Sequence, residues 1–247
     1  MKTAQTIRQE IKSYLQNPNP DAFWNLISKY KPDFDFYTTP CTSISLSGSP
    51  TDSDDSTNED DLKLAEVLRQ QRRDTPFMQK LHLEMQNRTT FNRYFGWSYP
   101  SPNAVAEIKD FVGQAKIVEI NAGRGIWAHL LQFENVKIIP TDSEPPNLRY
   151  IEVIAAEAST AVKTYLQPGD CLMTSWPDYM ANYATKAVKL ALDLGLTKLI
   201  YVGEPPGGCT GDDGFHEMVD QSFNLIKELS IPQWWGIHDR VYLYQRK

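Results

Sequence analysis

From residue 116 onward the chain alternates between short β-rich runs and helical ones, and this rhythm restricts the fold more than any other feature. Ile117–Ile120, Val136–Ile139, Tyr150–Ile154, Cys171–Thr174 and Lys198–Val202 read as strands. Ile126–Phe133, Ala158–Leu166, Met180–Leu194 and Phe215–Leu229 read as helices between or after them. In the last of these, Phe215, Met218, Val219, Ser222, Ile226 and Leu229 mark one helical face. Strand–helix alternation with short connections predicts a doubly wound parallel α/β sheet. The end breaks the pattern. Trp234–Ile237 and Arg240–Tyr244 are two β-like runs around His238-Asp239, too close for a crossover helix. The expected sheet is therefore seven-stranded and mostly parallel, closing in an antiparallel C-terminal hairpin strand.

The preceding part has a different texture. Ile7, Ile11 and Leu15 recur at helical spacing until Asn17-Pro18-Asn19-Pro20 stops them. Asp21 is placed to cap a second helix carrying Phe23, Trp24, Ile27 and Tyr30. Leu62–Arg73 and Phe77–Arg88 look helical, the latter with Phe77, Met78, Leu81 and Met85 on one face, and Asn103–Val112 suggests one more helix. Residues 1–94 are read as a helical N-terminal extension and residues 95–247 as the α/β domain. Between Ser43 and Asp61 lie six acids, no Lys or Arg, many Ser and Thr, and only Ile44 and Leu46 as large apolar residues. Such a segment cannot bury enough surface to offset its ordering entropy, so 43–61 is expected to be a disordered acidic loop. It is either a solvated linker or a phosphorylatable insert.

Those six acids account for the whole net charge of −6, leaving the rest formally neutral. A general nucleic-acid-binding surface is thereby disfavoured. Any such partner would have to use the local basic stretch 69–93, with Arg69, Arg72, Arg73, Lys80, Arg88 and Arg93 interleaved with Phe77 and Phe91. The simpler reading of that stretch is a solvated helix face. No uninterrupted apolar run reaches the roughly 18 residues of a membrane span, and the charged N-terminus does not read as a secretory signal. Cys41, Cys171 and Cys209 lie far apart, which favours a cytoplasmic or other reducing compartment. The histidines His82, His129, His216 and His238 show no metal-ligand spacing.

The strongest local signal is Glu119-Ile120-Asn121-Ala122-Gly123-Arg124-Gly125, which leaves a strand and opens a helix. Small residues let backbone pass close to a ligand, and the helix N-terminus offers free N–H groups and positive potential. Seventeen residues after Gly125, Asp142 ends the second strand, where a carboxylate accepts hydrogen bonds from both ribose hydroxyls. Together they point to nucleoside binding, against the plainer reading of a tight turn with a solvated Asp beyond it. Gly123-Arg124-Gly125-Ile126-Trp127-Ala128 also fits G-x-G-x-x-A, the dinucleotide pattern.

With an acid ahead of the glycines and a strand-final hairpin, the sequence resembles the class I S-adenosylmethionine-dependent methyltransferases. Their first motif is E/D-x-G-x-G-x-G and their sheet ends in an antiparallel seventh strand. Glu119, Gly123 and Gly125 match that motif, and Asn121 replaces its first glycine; Asn tolerates left-handed backbone better than most residues. The resemblance implies S-adenosyl-L-methionine as cofactor. It places Asn121, Ala122, Gly123 and Gly125 at its methionine end and Asp142 on the ribose. The acid–small pair Glu157-Ala158 would lie beside the adenine. Ser175-Trp176-Pro177-Asp178-Tyr179 falls where amino-methylating members carry N/D-P-P-Y/F/W; only Pro177 and the aromatic character agree, so the acceptor stays an N or O nucleophile of unknown identity.

Gly203 to Gly214 is too glycine-rich and acidic to be core, and loops at strand ends line the crevice in this architecture. Asp178 and Glu204 are thus the candidate bases, with Asp213 capping the next helix. Trp176 and Tyr179 are candidate crevice aromatics; the resemblance implies Glu119, Ser175 and Trp176 on the cofactor side and Tyr179 on the substrate side. Tyr99, from the run Phe91, Tyr94, Phe95, Trp97 and Tyr99, is a candidate lid. Two other readings remain open: a methyltransferase-fold binding or scaffold protein without catalysis, suggested by Asn121 and Ser175, and an NAD(P)-dependent oxidoreductase, suggested by G-x-G-x-x-A.

Overall fold

The computed structural model describes residues 4–32 and 76–247. The acidic loop 43–61, the run Leu62–Arg73 and Cys41 lie outside the described residues. The elements are α1 (Ala4–Gln16), α2 (Pro20–Ser28), α3 (Pro76–Tyr94), α4 (Pro102–Val112), β1 (Ile117–Ile120), α5 (Ile126–Phe133), β2 (Ile138–Asp142) and β3 (Ile154–Ala155). They continue with α6 (Ala158–Tyr165), β4 (Cys171–Ser175), α7 (Tyr183–Asp193), β5 (Lys198–Gly203), α8 (Asp213–Ser222), β6 (Phe223–Ser230) and β7 (Arg240–Arg246). The seven strands form one sheet in the order β3-β2-β1-β4-β5-β7-β6. β1 to β5 are parallel, and β7 runs antiparallel to both β5 and β6.

Strands at the sheet centre are buried on both faces, which is why they are continuous apolar runs rather than alternating ones. Every residue of β1 and β4 is buried. Side chains alternate across the sheet: Ile117, Cys171, Met173 and Ile200 face one core, and Val118, Ile120, Leu172 and Leu199 face the other. The first core is covered by α4 and α5 together with α1, α2 and the end of α3; the second by α6, α7 and α8. No described helix is long and apolar enough to cross a membrane.

Local chemistry shifts several expected boundaries. Asn19, not Asp21, caps α2, accepting from the Ala22 amide at 2.9 Å with Pro20 at the first helical position. Asp212, not Asp213, caps α8. On α3, Met85 of the expected apolar stripe is exposed, while Glu84, Phe91 and Tyr94 are buried. The largest difference lies after Ser222. The expected helix Phe215–Leu229 stops there, and Phe223–Ser230 pairs with β7 as an edge strand. Trp234–Ile237 is a loop with Trp234 buried, so the terminal pair is β6 and β7 joined by residues 231–239 rather than a tight hairpin.

Candidate active site

The carboxyl ends of β1, β2, β4 and β5 converge on one side of the sheet, and the turns beyond them carry most of the singled-out residues. After β1, Asn121, Gly123 and Gly125 all adopt left-handed backbone, at φ 62°, 55° and 73°. The two glycines serve different ends. A Cβ on Gly125 would come within 2.4 Å of the Ile151 side chain, so packing requires its absence. A Cβ on Gly123 would meet nothing within 4 Å, so the turn is bare and open there. The Asn121 side-chain amide donates to the Tyr183 hydroxyl at 2.8 Å, and the Asp178 amide donates to the same oxygen at 2.8 Å. Tyr183, the first residue of α7, thereby ties the turn after β1 to the turn after β4. Sequence reading did not single it out, because nothing local marks a tyrosine whose partners lie in two other loops.

Asp142 stands at the tip of β2, half-buried, with Oδ2 accepting from the Gly123 amide at 2.8 Å and Oδ1 from the Glu144 amide at 3.0 Å. Each carboxylate oxygen has a second lone pair for a further donor. Glu157 is exposed at the start of α6 and makes no side-chain cap, with half-buried Ala158 beside it. Glu119 is different. It is fully buried in β1 and accepts from the Ser175 hydroxyl at 3.1 Å through Oε1, while Oε2 has no hydrogen-bond partner among the described residues. Burial, opposed by the Ser175 bond and helped by the charge of Asp142, pushes its pKa up to about 8. At neutral pH it is mainly protonated, behind the turn rather than on its surface.

On the other side, Trp176 leaves β4 at φ 55°, its amide donating to the Val202 carbonyl at 2.8 Å. Its indole N–H donates to Asp239 Oδ1 at 2.8 Å, and its ring stacks on Trp97 with centroids 5.1 Å apart at 15°. Asp239 is buried and its second oxygen has no hydrogen-bond partner among the described residues. Burial, against the lowering effects of the Trp176 bond and Arg88, pushes its pKa up to about 7. Asp178 is exposed, accepts from the Met180 amide at 2.8 Å, and pairs with Thr210 in an isolated bridge. Exposed Tyr179 lines a cleft of about 360 Å³ against the glycine-rich loop 207–214.

Two expected roles meet contrary geometry. Glu204 is buried, with Oε2 accepting from the Cys209 amide at 2.7 Å and Oε1 from the His238 amide at 2.8 Å. Burial alone would raise its pKa, but those hydrogen bonds hold it below the usual carboxylate range. The carboxylate fastens the loop after β5 to the loop before β7 and is not presented to the crevice. Tyr99 is no lid: it is buried and stacked on Phe91, with centroids 5.0 Å apart. Trp97, two residues earlier, is the exposed aromatic of that run. Of the basic stretch, Arg69, Arg72 and Arg73 lie outside the described residues, Arg93 is exposed, and half-buried Arg88 acts electrostatically on Asp239 and Cys209. Among the described residues no group of His, Cys, Asp and Glu is arranged to hold a metal ion.

No family model matches the sequence, and no curated protein matches it. Solved structures do. The magnesium protoporphyrin IX methyltransferase from Synechocystis PCC 6803 with bound SAM is 11% identical, over 78% of this chain and 100% of that one, with a TM-score of 0.44. An O-methyltransferase from Bacillus cereus in complex with SAH is 14% identical, over 67% of this chain and 90% of that one, with a TM-score of 0.45. The mitomycin 7-O-methyltransferase is 14% identical, over 77% and 69%, with a TM-score of 0.41. The chain is similar to these methyltransferases, and its own strand order, a parallel doubly wound sheet closed by an antiparallel seventh strand, is the Rossmann-like fold that a resemblance to the class I methyltransferases implies.

Proposed function

We propose that the chain is an S-adenosylmethionine-dependent methyltransferase acting on an N or O nucleophile. The observation that carries this reading is the corner between Gly123 and Asp142. A left-handed turn with a bare surface is hydrogen-bonded to a carboxylate that keeps lone pairs for a ligand, at the carboxyl ends of two adjacent parallel strands. These residues fit the cofactor. Asn121, Ala122, Gly123 and Gly125 would hold its methionine end, Asp142 the ribose and Glu157-Ala158 the adenine edge, with Ser175 and Trp176 bordering the site. Glu119, neutral and buried, supports the turn from behind.

When bound, the cofactor supplies an electrophilic methyl group, and the chain's task is to align the acceptor and receive its proton. Asp178 suits the second role because it is exposed at the turn after β4. Glu204 suits a positioning role, since its oxygens already hold Cys209 and His238. Tyr179 borders the acceptor side.

Calorimetric titration with S-adenosylmethionine, S-adenosylhomocysteine and NAD(P)H, followed by a labelled-methyl transfer assay on amine, phenol and carboxylate acceptors, tests the reading. Binding of the two adenosyl compounds and transfer to an acceptor are expected. Binding of NAD(P)H in their place would establish the oxidoreductase reading instead. Cofactor binding with no transfer to any acceptor class would leave a non-catalytic binding module.

A further inference from the structure

Trp97 is the one member of its aromatic run that the core leaves out. Phe91, Tyr94, Phe95 and Tyr99 are buried, while Trp97 is 55% exposed. Its ring partner is Trp176, itself only half-buried at the mouth of the crevice. Two large apolar rings are thus kept partly in water where folding alone would bury them.

The inner ring is held with unusual care. Trp176 takes left-handed backbone, which bulky side chains rarely adopt, and such conformations persist where the surroundings over-determine them. Its amide is bonded to Val202, its face is covered by Trp97, and its indole N–H is bonded to Asp239. Asp239 is 1% exposed; the Trp176 bond engages Oδ1, and Oδ2 has no partner among the described residues. Burying a half-satisfied carboxyl to orient one indole adds little that an apolar neighbour could not give to packing. What it adds is a fixed ring position.

We propose that the Trp97–Trp176 stack is a binding platform for a planar aromatic acceptor, and that Asp239 is the positioning residue that sets its inner ring. The proposal rests on the methyltransferase reading only in calling the ligand an acceptor; the platform itself is a binding site that exists without cofactor. The incoming ring lies on the exposed face of Trp97. Beneath the inner ring, the Glu204 carboxylate and the Arg88 cation act on Asp239, and His238 stands beside Glu204. The electron-rich indole faces favour a cationic or electron-poor ring over an anionic one.

Calorimetry on the full chain without cofactor provides the test, with three probes: 9-aminoacridine, planar and cationic; 2-naphthol, planar and uncharged; and cyclohexylamine, cationic without an aromatic face. The two planar compounds are expected to bind, the acridine more tightly, and cyclohexylamine is not. Trp97→Ala should weaken acridine binding about tenfold without changing S-adenosylmethionine affinity, and Trp97→Phe should recover part of the loss. A stacked indole pair also gives an exciton couplet in far-ultraviolet circular dichroism. Asp239→Asn keeps an acceptor for the indole and should retain both couplet and binding; Asp239→Leu should lose both. Equal binding of cyclohexylamine and the acridine, no binding of either planar probe, or full acridine affinity in Trp97→Ala would each overturn the platform. Planar binding in a chain that ignores S-adenosylmethionine would keep the platform and remove the methyltransferase reading.

Discussion

Asp142 carries two burdens at once, holding the Gly123 amide and offering its remaining lone pairs to a ligand. Asp142→Ala is therefore expected to lower S-adenosylmethionine affinity by about one to three decades, since charge-assisted hydrogen bonds contribute roughly 1.5–3 kcal/mol each and sum to less than their total. Calorimetry reads this directly, and unchanged affinity would place the nucleoside elsewhere. Glu119 makes a stability prediction. Its folded pKa is raised to about 8, so the folded state binds a proton that the unfolded state has released above about pH 4.5. Stability from this group is fully present below that lower value and is lost as pH rises to about 8. Glu119→Gln removes the titration; the fall in urea midpoint of the wild type between pH 5 and 8, worth up to a few kcal/mol, should be flatter in the variant. Identical pH profiles would show that Glu119 is not protonated. At this scale the glycine turn and Asp142 were legible because strand, turn and acid follow in chain order. The parts of Asp239, Tyr183 and Glu204 were not, because each depends on a group from another loop: Trp176 for Asp239, Asn121 for Tyr183, and the His238 amide for Glu204.

Among elements, a polar contact inside an apolar cluster helps fasten α1. The Tyr14 hydroxyl meets His129 Nε2 of α5 at 2.5 Å, with Phe23 and Tyr150 rings around them. Burial lowers the His129 pKa to about 4, so the ring is neutral at pH 7. Tyr14→Phe leaves that nitrogen unsatisfied and is expected to cost about 1–3 kcal/mol. The unfolded His takes up a proton below about pH 6.5 that the folded one refuses, so stability should also fall as pH drops from there toward 4. His129→Gln, which keeps an acceptor without the titration, should flatten that arm; urea melts across pH 4–7 check both. The alternation of strands and helices that builds the sheet was readable without these contacts, because it depends only on which residues avoid water. The edge was not. Phe215, Val219, Ile226 and Leu229 keep helical spacing straight through the change from α8 to β6, with no Gly or Pro at Ser222–Phe223 to mark it. Pairing with β7 decides the conformation, and it leaves Ile226, which the helical periodicity would have buried, exposed together with Leu225.

For the whole molecule the question is whether the N-terminal helices are an accessory or a wall of the core. Ile7, Ile11, Phe23, Ile27 and Tyr30 share one continuous apolar cluster with Tyr99, Trp127, Tyr150 and Trp234, which belong to the α/β part. The Phe91 ring packs against Tyr99 and Trp234, and the Tyr150 hydroxyl donates to the Tyr94 carbonyl at 2.9 Å. Residues 95–247 alone would lose these partners and expose a ring-lined surface beneath the very run that presents Trp97. Burying one such side chain contributes roughly 1.5–3 kcal/mol, and whole domains are stable by only about 5–15 kcal/mol. Losing several together exceeds that margin. A fragment of residues 95–247 is therefore expected to be insoluble or to melt far below the full chain. The full chain should lose far-ultraviolet dichroism, near-ultraviolet dichroism and tryptophan fluorescence in one coincident transition. A fragment that melts within a few degrees of the full chain, or two separated transitions in the latter, would make 1–94 and 95–247 independent units. The acceptor side of the crevice would then have to be complete without the helices that now support it.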